Sequence, residues 1–234
     1  MTNDNAHDFE CLAGIRIVDF TQFEAGTSCT EALAWLGADV VKIENPKTGD
    51  PGRRLRPGKP DDDPFYFHMF NANKKSLAIN LKTPRGLELV RELLKKADVT
   101  VENMAPGTIE RLGLGYNEVK KLNPRIIFCQ IQGFGTGSKY ESGLAFDMIA
   151  QAAGAVFDTM ELQNDPSFEK RGIMQVMQHA NGPFKMPTWP VRVDGETVRI
   201  KPSPRLGEHS AEVLSSWLGV GAEEIAALKK DGVL

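Results

Sequence analysis

The chain has 234 residues, of which 41% are hydrophobic and 25% are charged, and these values are typical of globular proteins. This length suffices to bury a core without metals or disulfides, so a disordered chain and a disulfide scaffold are excluded. With 28 basic and 31 acidic residues the net charge is -3, so we expect no nucleic-acid partner held by bulk charge.

The first predicted elements form a strand–helix–strand unit. Residues 14–20 and 39–44 have strand patterns. Between them, residues 27–36 carry apolar residues at helical spacing, with Thr27 or Ser28 as a plausible cap and Gly37 as the C-terminal glycine. A crossover of this kind implies that the two strands pair in parallel.

The alternation continues through the first half of the chain. Residues 76–81 suggest a short strand, and a helix is expected after the cap Thr83 and Pro84. The remaining predicted elements are strands at 98–103 and 125–132, the latter of buried type, and short helices at 108–112 and 116–122. Repeated strand–helix alternation predicts an open, doubly wound α/β sheet.

The second half has a different pattern. A helix is expected to begin near Phe146 and end at Gly154, and residues 158–190 are irregular. Residues 191–200 resemble a hairpin that turns at residues 194–195. Two final helices are predicted near 210–218, with Ser210 as a possible cap, and near 222–230.

Cysteine usage and hydropathy predict the compartment. Cys11, Cys29 and Cys129 are isolated and lack metal-site spacing, so we expect neither a metal nor a disulfide framework. The first ten residues have no apolar signal-peptide core, and no run has the length of a membrane span. We therefore expect a cytoplasmic protein with no membrane partner.

A glycine-rich stretch, residues 133–137, follows a predicted strand. A dinucleotide fingerprint requires three glycines that open a helix at the first strand–helix turn, and this stretch does not meet that requirement. We therefore expect no NAD. The stretch is either a plain flexible loop or a loop that closes over a ligand.

Several charged side chains are candidates for binding or catalysis. Basic residues that form either a phosphate-binding patch or a solvated charged face are Arg53, Arg54, Arg56, Lys59, Lys74, Lys75 and Lys82. Carboxylates near element ends, each a possible nucleophile or base, are Asp19, Glu24, Glu44 and Asp147. The histidines His68 and His209 are expected to be structural, and no serine-nucleophile elbow is present.

Six segments between residues 12 and 135 together resemble the class III CoA-transferases, the family of formyl-CoA and carnitine CoA-transferases. They are residues 12–19, 34–44, 73–76, 98–103, 124–127 and 132–135. Residues 206–234 also resemble the C-terminus of that family. The resemblance implies a Rossmann-like large domain that binds coenzyme A, a smaller domain, and a homodimer of two interlocked chains. It implies acyl-CoA and a small carboxylic acid as substrates.

The same resemblance places the CoA contacts on particular residues. By motif position these are Gln22, Glu24, Ala25, Asn45, Ile79, Lys82, Asn103, Met104, Thr108 and Arg111. Lys82, Asn103 and Arg111 match the family in residue type. Gln22, Glu24 and Asn45 differ from the residues of formyl-CoA transferase.

The family's nucleophile has no counterpart in the sequence. In the family, an aspartate in a Gly-Asp motif follows the helix that here ends at Gly154, and it takes up the acyl group and then CoA. Here residues 155–172 instead resemble a late part of the small domain. The α-methylacyl-CoA racemases are relatives of this family, and Phe146 stands at the position of their histidine. Because Asp147 precedes the break, no catalytic residue is assigned.

Two interpretations follow from this break. The chain is either a CoA-transferase whose sequence omits an internal segment, or a shortened, non-catalytic CoA-binding or partner subunit. In both, residues 12–154 form the CoA-binding large domain, and residues 155–190 are a remnant of the small domain and a linker. Residues 191–234 return to the large domain. A dropped segment would separate one consecutive Cα pair in residues 152–155 far beyond 3.8 Å.

Overall fold

The computed structural model describes residues 6–7, 9–55, 63–133, 143, 174–177, 182–187 and 197–234. Nine strands occur in this part: β1 (Ala6–His7), β2 (Arg16–Asp19), β3 (Asp39–Glu44), β4 (Lys75–Ala78), β5 (Val99–Glu102), β6 (Ile127–Gln130), β7 (Met174–Met177), β8 (Phe184–Pro187) and β9 (Thr197–Val198). Five of them form one sheet in the order β4-β3-β2-β5-β6, and every pair in it is parallel. The prediction of an open parallel α/β sheet is confirmed.

The strand order reverses direction once. From β2 the chain moves outward through β3 to β4, and it then crosses back to place β5 on the other side of β2. Ile17 of β2 lies opposite both Val40 and Val99, which fixes the register on each side. The switch point of such a sheet lies between β2 and β5, where open α/β sheets bind their ligands.

Helices cover both faces of this sheet. They are α1 (Ala25–Trp35), a 3-10 turn (Pro51–Arg54), α2 (Phe65–Phe70), α3 (Pro84–Lys96), α4 (Thr108–Arg111), α5 (Tyr116–Leu122), α6 (Ser210–Leu218) and α7 (Ala222–Lys230). The expected helix α3 is confirmed with its cap, since Thr83 Oγ1 accepts a hydrogen bond from Gly86 N at 3.1 Å. Sequence reasoning missed α2 because its six residues are too few to show a helical period.

Alternate strand residues face two cores. Val18, Val41 and Leu77 are fully buried and pack in the larger core with apolar residues of α3, α6 and α7. Ile17 and Val40 face the opposite side, where α1 lies. This two-sided burial explains the nearly continuous apolar strands that the sequence shows.

The C-terminal helices belong to the larger core. Val213 and Leu214 of α6 are fully buried there, and Trp217 Nε1 donates a hydrogen bond to Asp39 Oδ2 at 3.0 Å. Asn80 N also donates to Val233 O at 2.7 Å. Residues 210–234 therefore pack directly on the parallel sheet.

Four local predictions were wrong. Residues 158–190 are not irregular throughout, because β7 and β8 lie within this range and pair with each other in antiparallel fashion. Helix α1 begins at Ala25, and Thr27 does not cap it, because its hydroxyl donates to the carbonyl oxygens of Phe23 and Glu24. Ser210 does not cap α6, since its Oγ accepts from Ala78 N at 3.1 Å. Strand β6 is not of buried type, because it is an edge strand of the described sheet and Ile127 is 62% exposed.

Several predictions fall outside the described residues. They concern the glycine stretch beyond residue 133, the helix expected to end at Gly154, the break at 152–155, and the turn at 194–195. The domain division stays a prediction for the same reason. Within the described ranges, no helix has both the length and the apolar character that a membrane crossing requires.

Candidate functional site

The carboxyl ends of four neighbouring strands form a row along one edge of the sheet. The residues that follow β4, β3, β2 and β5 include Ile79, Asn45, Gln22 and Asn103, in that spatial order. Adjacent strands lie roughly 4.8 Å apart, so the row extends about 14 Å. This length suits an extended ligand, and the row includes the switch point of the sheet.

Gln22 and Asn103 join the two strand ends at the switch point. Gln22 N donates to Asn103 Oδ1 at 2.7 Å, and Asn103 Nδ2 donates to Gln22 O at 2.7 Å. One side-chain amide thus satisfies both backbone groups of a residue 81 positions away. The turn after β2 is therefore held in place by the turn after β5.

Gly26 allows this turn to lie close to helix α1. A Cβ atom added at Gly26 would lie within 2.5 Å of Thr21 Cβ and 3.3 Å from Asn103 Cγ. Real Cβ atoms do not approach other atoms as closely as the first of these distances. The single glycine of the first strand–helix junction is thus required by close packing.

A cleft of about 220 Å³ opens at the ends of β2 and β3. Its lining residues are Thr21, Gln22, Lys42, Ile43, Glu44, Asn45, Thr48, Gly49, Asp50, Pro51 and Arg54. Two predicted contact residues, Gln22 and Asn45, lie in this lining. Glu44 and Arg54 of the lining were also candidates, one as a carboxylate and one as a basic residue. Sequence reasoning missed the remaining members, although the loop of residues 46–54 is rich in the glycine, proline and aspartate typical of a turn.

The wall of the cleft is built from buried ion pairs. Lys42 Nζ lies 2.7 Å from Asp50 Oδ2 and donates to Thr21 O at 2.7 Å. Arg53 donates to Glu44 through Nε at 2.8 Å and through Nη2 at 2.7 Å. This bidentate pairing lowers the pKa of Glu44 below its usual value, despite the opposing effect of burial.

A second buried pair lies beneath the first strand–helix turn. Lys74 Nζ lies 3.2 Å from Asp19 Oδ2, and both side chains are fully buried. Burial by itself would raise the pKa of Asp19. The ammonium groups of Lys74 and Lys42 and two threonine hydroxyl hydrogen bonds outweigh it, so the pKa lies below its usual value.

These pairs settle two of the carboxylate candidates. Asp19 is fully buried and hydrogen-bonded, so it cannot reach a substrate in this arrangement. Glu44 lies in the wall of the cleft, but its carboxylate is held by Arg53 and Ser76. Glu24 is half-buried at the start of α1, where it has no side-chain capping bond. Asp147 lies outside the described residues.

The described members of the predicted basic cluster fall into two groups, those held in ion pairs and those without an ion pair among the described residues. Arg53 and Lys74 are buried in ion pairs, and Lys75 pairs with Asp39 at 3.1 Å and Glu212 at 2.9 Å. Arg54 is exposed at the cleft, and Lys82 is exposed at the start of α3. Arg56 and Lys59 lie outside the described residues. The cluster is therefore not one solvated face or one open patch.

The predicted contact residues beyond the cleft occupy different settings. Arg111 is exposed on α4, and its Nη2 donates to Thr108 Oγ1 at 2.8 Å. Ala25 is exposed, and Met104 packs partly against the larger core. Ile79 is 1% exposed and its N–H donates to Glu44 O at 2.8 Å, so this residue is not open to a ligand in this arrangement.

The histidines have structural settings, as predicted. His68 is buried and its Nδ1 is hydrogen-bonded to Ser203 Oγ. His209 Nδ1 accepts from Ser76 N at 3.3 Å. In the part of the chain that is described, no three histidine, cysteine or carboxylate side chains are grouped so as to hold a metal ion.

Comparison with known families now identifies the class. The sequence profile of CoA-transferase family III matches residues 12–162 and, in a second overlapping match, residues 152–210. The first match alone covers more than half of the chain, so the protein belongs to CoA-transferase family III. This match confirms the family resemblance that the six sequence segments between residues 12 and 135 indicated.

Individual relatives show how much of the family the chain spans. It is 44% identical over 157 residues to a formyl-CoA:oxalate CoA-transferase of Streptomyces avermitilis, covering 67% of this chain and 38% of the relative. Among solved structures, a CAIB/BAIF family protein from Brucella suis is 34% identical with a TM-score of 0.59, covering 65% of this chain and 41% of the other. The matched part is thus less than half of either relative.

A third comparison concerns the fold alone. A point mutant of a Mycobacterium tuberculosis protein has a TM-score of 0.74 at 17% sequence identity. The alignment covers 88% of this chain and 99% of that one. A solved chain of similar extent therefore has a closely related fold.

Proposed function

We propose that this chain binds coenzyme A and its thioesters along the row of strand ends formed by β4, β3, β2 and β5. The observation that carries the proposal is the pair Gln22–Asn103, which shapes the switch point of a sheet in a family of CoA-transferases. Lys82 and Arg111 are exposed at two ends of this region and suit the phosphate groups of CoA. Of the ten expected contact residues, those with exposed polar side chains are the ones to substitute in a binding experiment.

We further propose that the protein takes part in CoA transfer from an acyl-CoA to a small carboxylic acid. The family match supports the reaction class, and the name of the Streptomyces relative makes formyl-CoA and oxalate the first pair to test. The family's route through an aspartyl anhydride and an aspartyl thioester needs a carboxylate nucleophile. The sequence contains no Gly-Asp motif after Gly154, so this step has no assigned residue here.

The second candidate is a non-catalytic CoA-binding or partner subunit. The absence of a Gly-Asp motif after Gly154 favours it. We propose that this chain forms a homodimer, as the family resemblance implies. Light scattering of the purified chain tests this. A mixed dimer with a full-length relative would support the subunit interpretation.

Calorimetry with CoA tests the binding proposal. Lys82→Ala/Arg111→Ala is expected to weaken binding at least tenfold, because each cation lost from a phosphate removes a charge-assisted hydrogen bond. The matched control is Lys96→Ala/Arg125→Ala, which removes two exposed cations at the other end of α3 and before β6. Equal affinities for the two double variants would overturn the site.

A transfer assay separates the two candidate functions. The purified chain, verified by intact mass, is mixed with formyl-CoA and oxalate, and oxalyl-CoA is measured. Turnover would support the transferase and require a nucleophile that sequence reasoning missed. CoA binding without turnover, within a detection limit several orders of magnitude below a normal rate, would support the binding subunit.

A further inference from the structure

Arg54 is the one charged side chain of the described cleft lining that has no ion pair among the described residues. Four charged residues line the cleft, namely Lys42, Glu44, Asp50 and Arg54. Lys42 pairs with Asp50 and Glu44 pairs with Arg53. Arg54 ends the 3-10 turn and is exposed. It therefore leaves an available guanidinium at the mouth of the cleft.

The neighbours of Arg54 fix the turn that presents it. Asp50 Oδ1 caps the turn by accepting from Gly52 N at 2.7 Å, and its other oxygen meets Lys42. Arg53 is held by Glu44, and its guanidinium carbon lies 3.7 Å from the ring centre of Phe67. Because the preceding residues are anchored in the protein interior, the backbone at Arg54 is preorganised while its side chain remains accessible.

The chemistry of the cleft points to an anionic group with several acceptor oxygens. A guanidinium binds such a group in a bidentate way, and phosphate fits this geometry. Asn45 and Thr48 on the same lining are neutral and can add hydrogen bonds without competing charge. The carboxylates of Glu44 and Asp50, which would repel an anion, are already neutralised by their buried partners.

We propose that Arg54 binds the 3′-phosphate of CoA at this cleft, an assignment that rests on the proposed function. CoA carries a terminal 3′-phosphomonoester and an internal pyrophosphate. The monoester bears between one and two negative charges at neutral pH and projects from the ribose, so it reaches an exposed guanidinium most readily. Arg54 thus supplies a cation to the ligand at the β3 end of the row. The contact position that the family resemblance implies there is Asn45, which is neutral.

Titration of two ligands into two variants tests this assignment. Arg54→Ala is expected to weaken CoA binding about tenfold or more, and to change the affinity for 3′-dephospho-CoA less than twofold. Arg54→Lys should retain part of the affinity, since it keeps the charge but loses the bidentate geometry. Arg125→Ala, which removes an exposed arginine before β6, is the matched control and should bind both ligands as the wild type does.

The other outcomes overturn the assignment in recognisable ways. Equal loss for both ligands would show that Arg54 meets the pyrophosphate instead. No loss for either ligand would remove Arg54 from the site while leaving CoA binding intact. If the wild-type chain bound neither ligand, the proposed function itself would fail, and the assignment would fail with it.

Discussion

Asn103 and Gln22 exchange two hydrogen bonds of 2.7 Å across the switch point of the sheet, although 81 positions separate them in the chain. The side-chain amide of Asn103 thereby links the chain after β5 to the backbone of the turn after β2. This contact therefore helps to fix the shape of the first strand–helix turn.

The first prediction concerns this contact. Asn103→Ala leaves the part-buried N–H and C=O of Gln22 without partners, so we expect a loss of about 1–3 kcal/mol in the free energy of unfolding. CoA affinity should fall as well, because the turn after β2 loses its support. Urea unfolding measures the first effect and calorimetry the second. Asn117→Ala, an exposed asparagine on α5, should change stability by less than about 0.5 kcal/mol.

The second prediction concerns Gly26. Gly26→Ala places a methyl group against Thr21 and Asn103, so the turn must shift, at a cost of about 1–3 kcal/mol. Thermal unfolding measures the cost. The control is Gly221→Ala, where the added atom meets nothing within 4 Å, and its effect should stay within about 1 kcal/mol. Similar effects of the two substitutions would contradict the packing argument.

The third prediction concerns the buried pair Asp19–Lys74. Lys74→Met removes the bonds from Nζ to Asp19, Thr27 and Asn71, and it leaves a buried carboxylate short of a partner. We expect a loss of about 3–5 kcal/mol in the free energy of unfolding. Adding Asp19→Asn should restore part of it, since the double variant buries no unpaired charge there. If the two single losses simply add, the pair is not coupled as described.

The fourth prediction is a pH dependence that arises from Glu31. Burial raises the pKa of this carboxyl well above its usual value, and the opposing effects of Lys74 and of the hydrogen bond from Ala72 N are smaller. A raised folded-state pKa means that the stabilising contribution is fully present below the unfolded pKa, about 4.3, and is lost as pH rises through the folded pKa.

Glu31→Gln tests this dependence, because glutamine keeps the acceptor for Ala72 N and cannot ionise. Relative to wild type, the variant should gain stability on going from pH 4.5 to pH 8, as measured by urea unfolding at both values. The matched control is Glu10→Gln at an exposed position, where the difference from wild type should be the same at both pH values. A flat difference for Glu31→Gln would contradict the assignment.

Much of the fold was predictable from local sequence patterns. Strand β3 and the helices α5, α6 and α7 have the predicted bounds, and α3 begins at its predicted cap. These elements carry strong local signals, such as a continuous apolar run, an apolar stripe or a capping residue before proline. The six sequence segments between residues 12 and 135 also predicted the family. Each segment is short, but their combination and their order along the chain are specific.

The state of each charged residue was decided only by the tertiary structure. Arg53 and Arg54 are adjacent and identical in type, yet one is buried against Glu44 and the other lies open at the cleft. Likewise, Asp19 meets Lys74, 55 positions away, only because the fold brings these two distant segments together. A sequence determines which side chains can carry charge. Which charges are neutralised, and which remain available to a ligand, depends on strand order and on the packing that removes water from one partner but not its neighbour.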